Sequence, residues 1–298
     1  MPVTLPSRRS FLAASAGILV VRPARAADAD PHRVALLSDT HVGEKPEEIA
    51  RECNMADRLK QVAAEVAKLA PKPACALIDG DLAYKTGTAA EYALFGKLIE
   101  PIRAAGVPLH LGLGNHDHFD RFAAGLDSLR PKERPVEGKQ VLVVELERAN
   151  LVVLDSFDPK NTVGGLLGAS QLKWLAAALD ARKDKPAVVC VHHPLQFDPD
   201  KSGKYGGLAD STGLWPILKE RPWVKAYVFG HTHTWKLAEK DGIHLINLPA
   251  VGYPFAKAEV SGWVDAKFTP MGVRLEVRAI DPKHANHGKT VELKWRAS

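Results

Sequence analysis

The chain has 298 residues, with Lys+Arg 40 against Asp+Glu 35, a formal net charge of +5, 46% hydrophobic and 25% charged residues. That length suits one large domain or two small ones, and the composition excludes disordered and fibrous classes. No apolar run reaches the roughly 20 residues a membrane-spanning helix needs, and Cys53, Cys75 and Cys190 are too scattered for a disulfide framework or a cysteine zinc knuckle.

The first segment, 1–26, reads as an export signal. Ser7-Arg8-Arg9-Ser10-Phe11-Leu12 matches the twin-arginine pattern, an apolar stretch runs from Phe11 to Val21, and Ala24-Arg25-Ala26 places small residues where a signal peptidase reads them. Cleavage is expected after Ala26, leaving 27–298 as one domain. The precursor would meet the twin-arginine export machinery, and the expected location is periplasmic or secreted. The segment carries Arg8, Arg9, Arg22 and Arg25 and no acid, so removing these four charges from +5 leaves +1. No stripe of Lys/Arg with interleaved aromatics remains, so a nucleic-acid scaffold role is not expected.

In the mature segment, short apolar runs alternate with helical patterns. Arg33–Ser38 reads as a buried strand, and Glu47–Ala70 as a helix, with Ile49, Cys53, Leu59, Val62, Val66 and Leu69 near a 3.6 period. Strand at Ala74–Ile78, helix at Ala89–Ala105 and strand at Val107–Leu111 follow. Gln140–Leu146 and Asn150–Leu154 form a hairpin pattern, Ser170–Arg182 is an amphipathic helix, and Pro186–Val191 and Val224–Phe229 are buried strands. Beyond Thr234 only strands are expected, at Lys236–Glu239, His244–Leu248, Gly262–Phe268 and Val273–Ile280. A βαβαβ beginning with a β-rich ending points to one α/β domain with two sheets and helices outside.

Ligand-type residues gather just past the strands. Asp39-x-His41 follows the first and Gly80-Asp81 the second. Gly114-Asn115-His116-Asp117 follows the third, His192-His193 the strand near 190, and Gly230-His231-Thr232-His233 the strand near 228. In α/β sheets ligands bind at that edge, where loops converge. Carboxylate, imidazole and amide donors without cysteine suit borderline-hard divalent cations. Glycine before Asp81, Asn115 and His231 permits sharp turns and close approach.

Together with Val189-x-x-His192, these motifs resemble the calcineurin-like metallophosphoesterase family and span 39–233. The resemblance implies a four-layer α/β/β/α sandwich with two mixed sheets and a binuclear centre between them. It assigns Asp39, His41, Asp81 and His233 to one metal and Asp81, Asn115, His192 and His231 to the other, with Asp81 bridging. Two divalent ions (Mn, Fe or Zn) would lower the pKa of a bridging water, whose hydroxide attacks phosphorus in line. His116 is placed as general acid for the leaving group, with Asp117 orienting its imidazole; a purely structural His116 is the alternative. The pattern looks most like the cyclic-nucleotide phosphodiesterase branch, so a small phosphodiester is favoured over a monoester.

Other positions stay open at the level of sequence. Gly80-Asp81-Leu82-Ala83-Tyr84 also resembles the Gly-Asp-x-x-Tyr motif of purple acid phosphatases. Their tyrosine binds iron, but His41 departs from their first motif. Tyr84 is therefore read as a pocket or packing residue, with a purple-acid-type monoesterase as the enzymatic alternative. A non-catalytic scaffold is the alternative from another class, and it predicts damaged ligand motifs. His193 either steers a ligand, touches substrate or packs. His110 and His244 are expected in strands, and His118, His284 and His287 at the surface. The segments 194–213 (with Lys201 and Lys204) and 119–137 are expected to form the walls that choose the substrate.

Overall fold

The computed structural model describes residues 20–21 and 29–297; the export motif Ser7–Leu12 and the expected cleavage site at Ala26 lie outside these. In chain order the elements are β1 (Val20–Val21), β2 (Ala29–Leu37), β3 (Ile49–Ala50), β4 (Cys53–Asn54), α1 (Met55–Lys68), β5 (Lys72–Ile78), α2 (Ala89–Leu98), α3 (Glu100–Ala104) and β6 (Leu109–Leu111). There follow α4 (Phe119–Gly125), β7 (Leu142–Glu145), β8 (Asn150–Val153), α5 (Ala169–Asp180), β9 (Ala187–Cys190), α6 (Ser211–Lys219) and β10 (Val224–Phe229). The remainder is strand only: β11 (Lys236–Lys240), β12 (Ile243–Asn247), β13 (Gly262–Thr269), β14 (Gly272–Ala279) and β15 (Thr290–Lys294).

Two mixed sheets form the centre. The six-stranded sheet runs β15-β14-β13-β2-β5-β6 and the seven-stranded sheet β1-β7-β8-β9-β10-β12-β11. Strands with two covered faces must be apolar on both, which is why β2 and β9 read as continuous apolar runs. In β2, Val34 and Leu36 enter the core between the sheets, whereas Ala35 and Leu37 face α1 and α2. In β9, Val188 and Cys190 enter the same inter-sheet core, and Ala187 and Val189 pack beneath α5 and α6. Three stacked cores thus separate four layers, helix, sheet, sheet and helix, as the resemblance implies. Cys53, Cys75 and Cys190 are free thiols and buried.

Four departures from the expected elements have local causes. The helix expected from Glu47 begins only at Met55: Arg51 and Glu52 take positive φ (48° and 66°), turning β3 back along β4. Asn54 then caps α1 by accepting from the Asp57 amide. The helix expected over Ala89–Ala105 divides at Ile99, because Pro101 has no N–H to continue the ladder. The short helix α4 lies inside the expected wall 119–137, and α6 occupies the end of the expected loop and runs on to Lys219. Finally, β15 pairs antiparallel with β14, its alternation of Leu293 inward between exposed Glu292 and Lys294 being too short to stand out as a pattern.

Candidate metal centre

The loops after β2, β5, β6, β9 and β10 meet at one edge of the sandwich. Asp39, His41, Asp81, His231 and His233 all have left-handed backbone, with φ between 46° and 65°, and they are five of the eight non-glycine residues in that region among the described residues. Each costs roughly 1–3 kcal/mol, and such strain concentrates where surrounding structure overrides it for function. Here the loops are laced together: the His41 amide donates to the Asp81 carbonyl (3.0 Å), Val42 to Leu82 (2.9 Å) and Gly252 to Asp39 (2.9 Å). Close approach depends on missing side chains as well. A Cβ on Gly114 would stand 2.7 Å from His192 Nε2, and one on Gly230 would overlap Ser38 and Asp39.

Two groups of donors converge on either side of Asp81. On one side His41 Nε2 lies 3.6 Å from Asp39 Oδ1 and 3.7 Å from Asp81 Oδ2, and His233 Nε2 lies 3.3 Å from Asp39 Oδ1. On the other side His192 Nε2 lies 3.2 Å from Asp81 Oδ2, and Asn115 Oδ1 lies 3.0 Å from His231 Nδ1. Asn115 is oriented by donating its amide to the Thr162 carbonyl (3.0 Å), which directs Oδ1 toward His231. Backbone amides support the carboxylates: His116 donates to Asp81 (2.9 Å) and His231 to Asp39 (3.0 Å).

The electrostatics are those of acids kept ionised out of water. Burial works against the charge on Asp39, yet His233 and His192 outweigh it and hold its carboxyl well below the usual range. Burial opposes the charge on Asp81 too, and His192 and His41 again hold it far below. His192 is the reciprocal case: burial favours the neutral ring, but Asp81 and Asp39 push its pKa well above the ordinary value. His231 is lowered to about 4 by burial and the neighbouring His192. Asp79 is pushed up to about 6 by its burial.

The donors fit divalent cations. His233 Nδ1 meets the Tyr253 carbonyl at 2.6 Å and must donate, so its Nε2 carries a lone pair in the neutral ring; that atom faces His41 Nε2 at 3.0 Å. Two ring nitrogens so placed have no hydrogen bond to make unless one is protonated. Asp39 Oδ1, His41 Nδ1 and both ring nitrogens of His192 are buried without a hydrogen-bond partner. Buried polar atoms are rarely left so, and ligand-type atoms within 4.8 Å of one another, as in Asp39/His41/His233 and Asp39/Asp79/His192, are where a cation satisfies them.

Some expectations change at this point. Asp117 does not touch the His116 ring: its carboxylate accepts from the amides of Gly114 (3.0 Å), Leu82 (3.2 Å) and Ala83 (3.2 Å) and from the Tyr92 hydroxyl (3.2 Å). Burial and Asp81 push its pKa up to about 7. It ties the 114–117 turn to the Asp81 loop, and His116 Nδ1 donates to the Lys85 carbonyl instead (3.1 Å), leaving Nε2 free of that contact. His193 is buried beside His192 and His231, but both its nitrogens are engaged, Nδ1 with Ser156 Oγ (2.7 Å) and Nε2 with the Val163 carbonyl (3.0 Å). Tyr84 packs edge-on to His41 and Tyr253, with ring centroids 6.4 and 6.2 Å away.

The expected walls are not the ones found. Lys201 and Lys204 are exposed, and neither 194–213 nor 119–137 lines the cleft of about 460 Å³ at His116; Arg51, Tyr84, Lys85, Tyr253 and Phe255 do. Sequence reasoning also missed Asp79, bridged by the Ser38 hydroxyl (2.5 Å) on the way to Asp39. Its signal was the second acid in Asp79-Gly80-Asp81. Tyr253 and Phe255 had only their aromatic clustering in a loop to mark them, and the carbonyls of Thr162 and Val163 had no side-chain signal at all. His110 and His244 do lie in strands, and His118, His284 and His287 are half-buried rather than fully solvated.

Buried lone pairs brought together from two sheets at one sandwich edge are what a metal-dependent hydrolase requires. The sequence profile of the calcineurin-like phosphoesterases matches residues 32–235. The chain therefore belongs to the calcineurin-like phosphoesterase family and is a metal-dependent phosphoesterase, working with divalent ions. It is 29% identical over 225 residues to a 3′,5′-cyclic adenosine monophosphate phosphodiesterase of Pseudomonas aeruginosa, covering 74% of this chain and 76% of that one. It is 28% identical over 198 residues to a cAMP/cGMP dual specificity phosphodiesterase of Mycobacterium tuberculosis, covering 66% of this chain and 60% of that relative. In fold it resembles a dimetal phosphatase from Danio rerio, with a TM-score of 0.68, 14% identity, and coverage of 90% of this chain and all of the other.

Proposed function

We propose that the chain is an exported phosphodiesterase acting on a small phosphodiester, with two divalent ions held between the sheets. The observation that carries this reading is the pair of donor groups flanking Asp81 with His116 beside them. Asp39, His41, Asp81 and His233 would hold one ion, and Asp81, Asn115, His192 and His231 the other. When bound, such ions supply a low-pKa water as nucleophile and neutralise charge on the phosphoryl oxygens. Around them the chain's own groups divide the remaining work. Asp81, central to both donor groups, fixes their separation. His116, its Nδ1 proton committed to Lys85, offers Nε2 at the cleft to protonate the departing alcohol oxygen. His193, locked by Ser156 and Val163, holds His192 and His231 in place through ring contacts of 5.0 and 4.6 Å. Diesters are favoured because both cyclic-nucleotide relatives are diesterases by name.

The test uses protein from residue 27 onward reconstituted with Mn²⁺, Fe²⁺ or Zn²⁺ and assayed on bis-p-nitrophenyl phosphate and p-nitrophenyl phosphate. The diester is expected to turn over faster. No turnover of either ester by protein that binds two ions sinks the reading. Export rests on the twin-arginine motif: Arg8→Lys with Arg9→Lys is expected to retain the precursor inside the cell, and N-terminal sequencing of the exported form should begin at Ala27.

A further inference from the structure

Beside the cleft at His116 lies a second hollow of about 500 Å³ that shares Arg51 and Phe255 with it and adds Arg58 and Lys257. Between the two stands a ridge made by the β3–β4 turn and the 253–255 loop. Arg51 and Glu52 both hold left-handed backbone at that turn, where glycine or asparagine is the ordinary choice. That strained turn sets the Arg51 guanidinium 5.1 Å over the Phe255 ring and 3.4 Å from the Phe255 carbonyl. The Phe255 ring lies parallel to His233, centroids 4.0 Å apart, and still leaves Phe255 50% exposed.

The charges on the two sides of this ridge are not alike. Lys85 is paired with Glu48 (2.8 Å) and Lys257 with Glu52 (2.9 Å). Arg51 and Arg58 have no carboxylate partner among the described residues; Arg58 donates to Ser261 Oγ (2.9 Å) and the Gly252 carbonyl. An aromatic wall of Tyr84, Tyr253 and Phe255 therefore adjoins His116, its rings inclined to one another with Phe255 the exposed face, and two uncompensated guanidiniums lie beyond it. Each hollow is of a size that takes a drug-sized ligand or a nucleoside.

We propose that these two adjacent hollows receive the alcohol half of the ester, and that they select a nucleoside carrying a second phosphate, its base against the aromatic wall and that phosphate on Arg51. The proposal builds on the hydrolase reading only in placing the alcohol beside His116. A dinucleotide-type diester presents such a half; a glycerol-type ester does not.

The test is equilibrium titration of the metal-loaded protein with three probes: ribose 5-phosphate, adenosine 5′-monophosphate and adenosine 3′,5′-bisphosphate. Adenosine monophosphate is expected to bind about tenfold more tightly than ribose 5-phosphate, the gain of one base–aromatic stack. The bisphosphate is expected to gain about tenfold again from one charge-assisted contact, and Arg51→Ala to abolish that second gain while keeping the first. Equal affinity for ribose phosphate and adenosine monophosphate, or a bisphosphate gain that survives in Arg51→Ala, overturns the proposal. Turnover of nitrophenyl esters with these ratios at unity sinks the subsite alone. Intact ratios without turnover sink the hydrolase reading and leave the subsite standing.

Discussion

The six-stranded sheet and the seven-stranded sheet bring different chemistry to the same edge. From the loops after β2, β5 and β6 come Asp39, His41, Asp79, Asp81, Asn115 and His116, a set dominated by acids and an amide. From the loops after β9 and β10 come His192, His193, His231 and His233, all imidazoles. Neither set is stable as a buried group by itself: acids at 1% exposure or less repel one another, and desolvated imidazoles resist charge. Joined, they compensate: Asp81 and Asp39 offset the burial of His192 and raise its pKa well above the ordinary value. The join is structural as well, since Gly230 of one sheet's loop abuts Ser38 and Asp39 of the other's. A centre built this way requires the inter-sheet core to hold its register.

The strongest test of that division removes the acid on which both sets converge. Asp81→Ala is expected to abolish binding of both metals and lower kcat/KM by about 10³-fold or more, given the several kcal/mol that metal charge contributes. His192→Ala should spare the ion on the Asp39 side. Elemental analysis of the two purified variants decides it: equal metal content in both would end the idea that the sheets contribute unequally.

His116 stands on the acid-supplying side, and in the proposed function it serves the leaving group rather than the cations. His116→Ala is expected to keep both metals and to lose about 10²- to 10³-fold in kcat on an ester with a poor leaving group, with a smaller loss on a nitrophenyl ester. Equal losses on the two esters would assign His116 to support of the loop instead of proton transfer.

His110 supplies the contrast for an imidazole with no acid beside it. It sits on β6 with Leu109 and Leu111 facing the helices, so its ring is turned the other way, and its Nε2 is buried without a partner. Burial lowers its pKa to about 4 from the ordinary 6.5. The unfolded chain therefore takes up the proton first, and stability attributable to His110 is lost as pH falls from 6.5 toward 4, by about 3 kcal/mol over the window. Denaturant unfolding at several pH values should show a shallower acid limb in His110→Leu than in the parent protein. Parallel limbs would mean that the ring is already accessible to protons.

Much of this division is legible in the amino-acid sequence. The strands were readable because burial on both faces leaves continuous apolar runs such as Val34–Leu37 and Val188–Val191, and the candidate ligands because they follow those runs directly. What escaped was information held by backbone and by distant pairs. The turn at Arg51–Glu52 carries none of the usual glycine or asparagine, so the periodicity of α1 ran through it unbroken. The role of Asp117 was misassigned because adjacency to His116 suggested contact, whereas three amides from two loops compete for its carboxylate and win. The cleft walls escaped for a similar reason: length and glycine content drew attention to 194–213, while the residues that line the cleft come from four short stretches far apart in sequence.

The smallest effect concerns whether His193 belongs with the cation-holding imidazoles or with their supports. Its Nε2 faces the Val163 carbonyl, an acceptor only, so that nitrogen carries the proton; Nδ1 is then the acceptor for the Ser156 hydroxyl. A ring with both nitrogens engaged has no lone pair left for a metal, even though it stands within reach of His192 and His231. Burial and the neighbouring His192 and His231 keep its pKa well below the ordinary value, which preserves this neutral tautomer. Ser156→Ala removes one hydrogen bond and is expected to cost about 1 kcal/mol of stability, with two metals still bound at unchanged affinity. Had Nδ1 been a ligand held back by the hydroxyl, the same substitution would raise metal affinity or change the stoichiometry. Calorimetric metal titration alongside thermal unfolding separates the two, because a support loses stability alone.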